Sequence, residues 1–157
     1  MGNYAMRTVA AICAALGALS LTSCTSPTEE APSAGLGADT AVWAESVLGS
    51  HEGTHLTGTH QGSEPSMGAF HNTDAGWYEL RMACADRNGV ASGDSMAVAV
   101  TADGEPVGDG SVGCSGSAVS SHIQVMAPAE NLEVAITNSG VDMVWVVALE
   151  PGPPPSS

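Results

Sequence analysis

Four runs in this 157-residue chain alternate apolar and polar residues with a period of two, and that rhythm constrains the fold more than any other feature. Tyr78, Leu80, Met82 and Cys84 alternate with Trp77, Glu79, Arg81 and Ala83. Met96, Val98 and Val100 alternate with small residues. Ile123 and Val125 alternate with His122, Gln124 and Met126. Leu132, Val134 and Ile136 alternate with Asn131, Glu133, Ala135 and Thr137. A strand points successive side chains to opposite faces, so each run predicts one buried and one wet face. A fifth run, Val141 to Leu149, is apolar at nearly every position, as expected of a central strand covered on both sides.

Turn signals punctuate these runs: Asp86 to Gly89, Ser92 to Asp94, Ala102 to Pro106, Asp109-Gly110, Ala127-Pro128 and Asn138 to Gly140. Weaker strand candidates lie at about Thr54 to Gln61 and Ser66 to Asn72. Seven to eight short strands at this spacing, without a long helix, predict an all-β, antiparallel β-sandwich over residues 41–150. Thr40 to Leu48 is the one helix candidate, and it is too short to be stable alone. Residues 151–157 read PGPPPSS and are expected to fray.

The N-terminus is of another kind. Arg7 leads into an apolar run from Val9 to Leu21, too short to span a bilayer, followed by Leu21-Thr22-Ser23-Cys24. This is the pattern of a secretory signal, and its end resembles the lipobox of bacterial lipoproteins. That resemblance implies cleavage after residue 23, a lipid on Cys24 and attachment to the extracytoplasmic face of the cell membrane. Residues 24–40, rich in Pro, Ser, Ala, Gly and acids, are expected to form a flexible tether.

Charge limits the partners. Once Arg7 leaves with the signal, Arg81 and Arg87 stand against 17 acidic residues, a formal balance of −15 with no lysine. Such a chain cannot neutralise a phosphate backbone, which excludes nucleic acid as a partner. Anionic lipid headgroups repel it too, so a lipid anchor would hold it at a surface its own charge avoids. Of the four cysteines, Cys13 belongs to the signal and Cys24 is the lipid candidate. Cys84 and Cys114 remain as a pair in an oxidising compartment, and a disulfide is expected.

One segment has the residues for metal chemistry: His51-Glu52-Gly53-Thr54-His55, continuing to His60. It resembles the HExxH of zinc metallopeptidases, which would make His51 and His55 ligands and Glu52 the general base. That motif works on a helix, one turn separating the two rings. Gly53, Gly58 and three threonines oppose a helix here, so HEGTH is expected to be coincidental and the chain not an enzyme. A gentler alternative is Zn²⁺ or Cu²⁺ binding by His51, His55 and His60, with His71 nearby, held in loop geometry. Asp103, Glu105 and Asp109 offer oxygen ligands for calcium in one turn-rich stretch. Serines and glycines show neither a nucleophile elbow nor a phosphate loop.

Trp43, Phe70, Trp77, Tyr78 and Trp145 are the sizeable aromatics of the mature chain. A row of them on one sheet face would be a sugar platform, but Trp77 and Tyr78 point to opposite faces. The run GWYELRMAC, then SMAVAVTADGE, then NLEVAITNSGVDMVWVVALEP resembles the small jelly-roll or Ig-like modules of secreted bacterial proteins, notably the pre-peptidase C-terminal type. The resemblance implies a non-catalytic accessory domain; the expected kind of partner, read separately, is a surface protein or a carbohydrate.

Overall fold

The computed structural model describes residues 39–51, 53–138 and 141–156. The signal, Cys24, most of the tether and Glu52 lie outside the described residues. A short helix, α1 (Thr40–Leu48), is followed by eight strands. These are β1 (Thr54–His60), β2 (Ser66–Thr73), β3 (Gly76–Asp86), β4 (Ser95–Ala102), β5 (Glu105–Gly113), β6 (Val119–Val125), β7 (Ala129–Asn138) and β8 (Met143–Pro151). One sheet has the order β1-β8-β3-β6 and the other β2-β7-β4-β5, with every pairing antiparallel. Only β4 and β5 form a hairpin within one sheet; every other connection crosses to the facing sheet. That is the strand order of a jelly roll, which decides between the two sandwich types that the sequence suggests.

The period-two runs turn their apolar faces inward as their spacing predicts, but the second face of β3 is not wet throughout, since Ala83 and Ala85 are buried. Leu80, Met82 and Cys84 of β3 face Met96, Val98 and Val100 of β4 and Leu132, Val134 and Ile136 of β7 across a common core. Ile123 and Val125 of β6 and Trp145, Val147 and Leu149 of β8 complete it. The β4–β5 hairpin turns on Asp103 and Gly104, both at positive φ (47° and 88°), as a two-residue primed turn requires.

Strand β5 departs from expectation. Asp109-Gly110 reads as a turn, yet it lies inside the strand. The glycines are there for close approach of the two sheets. A Cβ on Gly108 would sit 2.5 Å from Cγ2 of Ile123, and one on Gly110 would sit 2.9 Å from Cε of Met82.

Strand β8 is buried on both faces because α1 lies on the outer face of its sheet. Ala44 and Leu48 of the helix pack on Ala83, Val146 and Ala148, with Trp43 and Val47 against the same cluster. The two alanines of the sheet let a nine-residue helix settle directly on the strands. Its stability comes from that contact, not from propensity. At its C-terminal end, Arg81 Nη2 donates to the Leu48 carbonyl at 2.6 Å, while Nη1 lies 3.6 Å from Glu150. The guanidinium thereby meets both the negative pole of the helix and a carboxylate.

Cys84 and Cys114 form the expected disulfide, with Cα atoms 4.4 Å apart. Cys114 lies just past β5 rather than inside a strand, held by its N–H to the Asp94 carbonyl at 2.8 Å. The bond therefore joins β3 of one sheet to the end of β5 in the other. At the C-terminus, pairing extends into the stretch expected to fray: Pro151 opposes Tyr78, and the Gly152 N–H donates to the Trp77 carbonyl at 2.9 Å. No helix among the described residues is long and apolar enough to cross a membrane.

Candidate functional site

The β2–β3, β4–β5 and β6–β7 connections come together at one end of the sandwich, beside the start of β1 and the end of β8. Three clefts lie there. The first, about 500 Å³, runs from Gly53 and Thr54 past Phe70, His71, Asn72 and Asp74 to Tyr78, Leu149 and Pro151. The second, about 250 Å³, shares Asn72, Thr73 and Asp74 with the first and continues to Pro128, Ala129 and Glu130. The third, about 450 Å³, shares Pro128 and Ala129 with the second and reaches Met126, Asp103, Pro106 and Val107. Shared lining residues set the three side by side in a row across the sandwich end, a furrow of adjoining clefts.

Local structure fixes its polar groups. Asn72 adopts positive φ (55°) and drops out of the β2–β7 register, so His71 and Asn72 are both exposed instead of alternating. Nδ1 of His71 lies 2.8 Å from Oδ1 of Asn131. An amide oxygen only accepts, so Nδ1 carries the proton and Nε2 remains an acceptor. The Tyr78 hydroxyl donates to the Asp74 carbonyl at 2.9 Å, which ties the ring to the β2–β3 turn. Burial, and secondarily the Asp74 carboxylate, push the Tyr78 phenol up from its ordinary value, although the hydrogen bond to the Asp74 backbone opposes them. At neutral pH the ring is uncharged. Phe70 and Leu149 give the first cleft an apolar floor, and His71, Asn72 and Asp74 give it a hydrogen-bonding rim.

The histidines separate. His60 is buried, with Nδ1 3.0 Å from Ser66 Oγ and Nε2 2.9 Å from the Gly62 carbonyl. Both ring nitrogens hold the β1–β2 connection, so His60 does not join a ligand set with His51 and His55. His71 belongs to the furrow. His51 and His55 do meet, Nε2 to Nδ1 at 2.9 Å. Among the described residues, no three His, Cys, Asp or Glu side chains converge as a metal-holding group. The helix an HExxH peptidase needs is not there either: α1 ends at Leu48, and Thr54 to His60 is strand.

Calcium fares no better. Both carboxylate oxygens of Asp103 accept backbone N–H groups, from Asn131 at 3.0 Å and Glu130 at 3.2 Å. Glu105 opens β5, and Asp109 points outward six residues beyond Asp103. No aromatic row forms. Trp145 is in the core, Trp43 lies on the sheet-facing side of α1, and Phe70 is buried in the floor of the first cleft, so that among these Tyr78 offers the more accessible ring to the furrow. Sequence reading missed the furrow because six segments distant along the chain build it. The local hints, Ala102 to Pro106 and Ala127-Pro128, read as ordinary turns.

No protein-family model matches this chain, and no curated protein matches it. Among solved structures it is similar to the C-terminal domain of EclA, described as a sugar-binding protein, at 13% identity and TM-score 0.35, covering 62% of this chain and 78% of that one. It is also similar to the C-terminal CBM6 of LamC, a marine laminarinase from Zobellia galactanivorans, at 17% identity and TM-score 0.38, covering 68% of this chain and 95% of that one. Likeness of this degree assigns neither a ligand nor a site to the present chain.

Proposed function

We propose that this chain is a lipid-anchored extracytoplasmic lipoprotein whose jelly roll is a non-catalytic module binding an elongated, uncharged polysaccharide along the furrow at its end. The observation that carries the ligand class is the row of three adjoining clefts, which share Asn72–Asp74 and Pro128–Ala129 in their walls. A small metabolite fills one cleft; a row of adjoining clefts suits a linear polymer. The half-buried Tyr78 ring offers an apolar face to a sugar ring, and His71 Nε2, Asn72 and Asp74 offer partners for hydroxyls. A formal balance of −15 disfavours anionic glycans. Leu21-Thr22-Ser23-Cys24 supports the anchor, from which the tether would space the sandwich off the membrane.

Titration with soluble neutral oligosaccharides of increasing length tests the ligand class. Affinity is expected to rise with chain length until the furrow is filled. Tyr78→Ala is expected to weaken it by roughly tenfold or more, as loss of a buried aromatic anchor does. Asp74→Asn weakens it less. Binding that ignores both substitutions, or no binding across a panel of neutral glucans, xylans and mannans, overturns the assignment. Cys24→Ser is expected to abolish incorporation of labelled palmitate; a labelled Cys24→Ser protein would refute the anchor.

A further inference from the structure

We propose that His51 and His55 form a two-imidazole site for a divalent transition ion of tetragonal preference, Cu²⁺ before Ni²⁺, on the outer face of the β1–β8–β3–β6 sheet. His55 stands on β1 opposite Ala148, away from the core, and His51 lies in the connection that follows α1. The two rings meet edge to face, with centroids 4.9 Å apart and an interplanar angle of 72°. Neither belongs to the furrow, so the site is independent of the polysaccharide assignment.

Proton placement follows from the partners. Nδ1 of His51 lies 3.3 Å from the Gly49 carbonyl, which only accepts, so Nδ1 carries the proton. Nε2 of His51 is then a lone pair, and the 2.9 Å contact is a proton on Nδ1 of His55 shared with it. A metal ion replaces that shared proton. The His55 proton moves to its Nε2, so two neutral imidazoles bind without net proton release. His51 keeps its Nδ1–H on the Gly49 carbonyl, the outer hydrogen bond that orients metal-bound histidines generally.

Distance permits the ion, and ligand type with the divalent affinity order selects it. With metal–nitrogen bonds of about 2.0–2.1 Å, two nitrogens at 90° around the ion are about 2.9 Å apart, and at the tetrahedral angle about 3.3 Å. The observed 2.9 Å is the length of the hydrogen bond itself, in which each nitrogen is aimed at the other; to bind one ion both rings must swing until their lone pairs meet at a common point beside that line, and the separation then suits adjacent positions of a tetragonal ion. Imidazole ligands and the divalent affinity order both favour Cu²⁺. The acidic body raises the local concentration of any cation.

The test is calorimetric titration of the untagged full chain with CuCl₂, paired with electron paramagnetic resonance. One Cu²⁺ per chain is expected, with a tetragonal spectrum split by two imidazole nitrogens. His51→Ala and His55→Ala each are expected to weaken binding by roughly tenfold or more. His122→Ala leaves it unchanged. His55→Gln serves as a second variant, and melting curves without metal confirm that each variant is folded. Binding that persists unaltered in folded His51 and His55 variants overturns the site, as does absence of binding to the folded native chain at micromolar Cu²⁺.

Discussion

Replacing Cys84 and Cys114 together by alanine is expected to lower the melting temperature by about 14 °C. The two cysteines are 30 residues apart, and closing a loop of that length removes about 3.5 kcal/mol of chain entropy from the unfolded state. Unfolding entropy scales with length at about 2.1 cal/mol/K per residue, or about 0.25 kcal/mol/K for a domain of this size. Their ratio gives the shift. Thermal denaturation followed by circular dichroism measures it directly. A shift below about 4 °C would mean that the unfolded loop is already restrained without the bond.

Both sulfurs are fully buried, so reductant added to the folded protein is expected to act only at the rate of unfolding. Cys84 lies toward the end of β3 away from Tyr78. Below the melting transition, sugar affinity should therefore survive the loss of the disulfide.

Fold and site differ in how far they can be read from sequence, and the reason is physical. Burial on one face of a strand leaves a period-two trace in a few consecutive residues, so β3, β4, β6 and β7 are visible locally. α1 is visible too, with the bounds Thr40 to Leu48. The apolar stretch of β8 signals cover on both faces but does not say what covers it; that depends on a helix that begins 103 residues earlier in the chain, at Thr40 against Met143. Strand β5 is hidden because its inward positions 108 and 110 are glycine, chosen by the nearness of Ile123 and Met82. Glycine there reads as a turn when its neighbours in space are unknown.

Site residues leave even less trace. His51, His55, His60 and His71 look like one cluster along the chain, yet the fold gives His60 to the β1–β2 connection and His71 to the furrow. Only the pair at spacing four stays together, and it does so between a loop and a strand rather than on a helix. Asn72, Asp74, Tyr78 and Pro128 carry no motif at all. They become a site because jelly-roll crossings bring their connections to one end.

Trp145→Ala is expected to cost about 3–5 kcal/mol, the usual range for emptying a buried aromatic site. By the same entropy that is a fall in melting temperature of about 12–20 °C. Trp145 is 4% exposed and sits in the core with Met143, Val147 and Leu149. Its seat is made by Gly58, its cross-strand partner: a Cβ there would lie 2.6 Å from Cζ2 of the indole. Gly58→Ala is therefore expected to destabilise the native chain, and to do so much less once Trp145 is alanine. A double-mutant cycle reads that coupling, and strictly additive effects would show that the two positions do not share the space. Trp145→Phe separates ring from nitrogen. The indole Nε1–H is buried and has no hydrogen-bond partner among the described residues, so its removal forfeits no bond with them. Phenylalanine is thus expected to cost well under half of what alanine costs; equal costs would place a real hydrogen bond at Nε1. None of these three substitutions touches the furrow. Folded Trp145→Phe should bind oligosaccharide like the native chain, whereas folded Tyr78→Ala should not, and that contrast distinguishes an aromatic residue that holds the sandwich from one that serves its ligand.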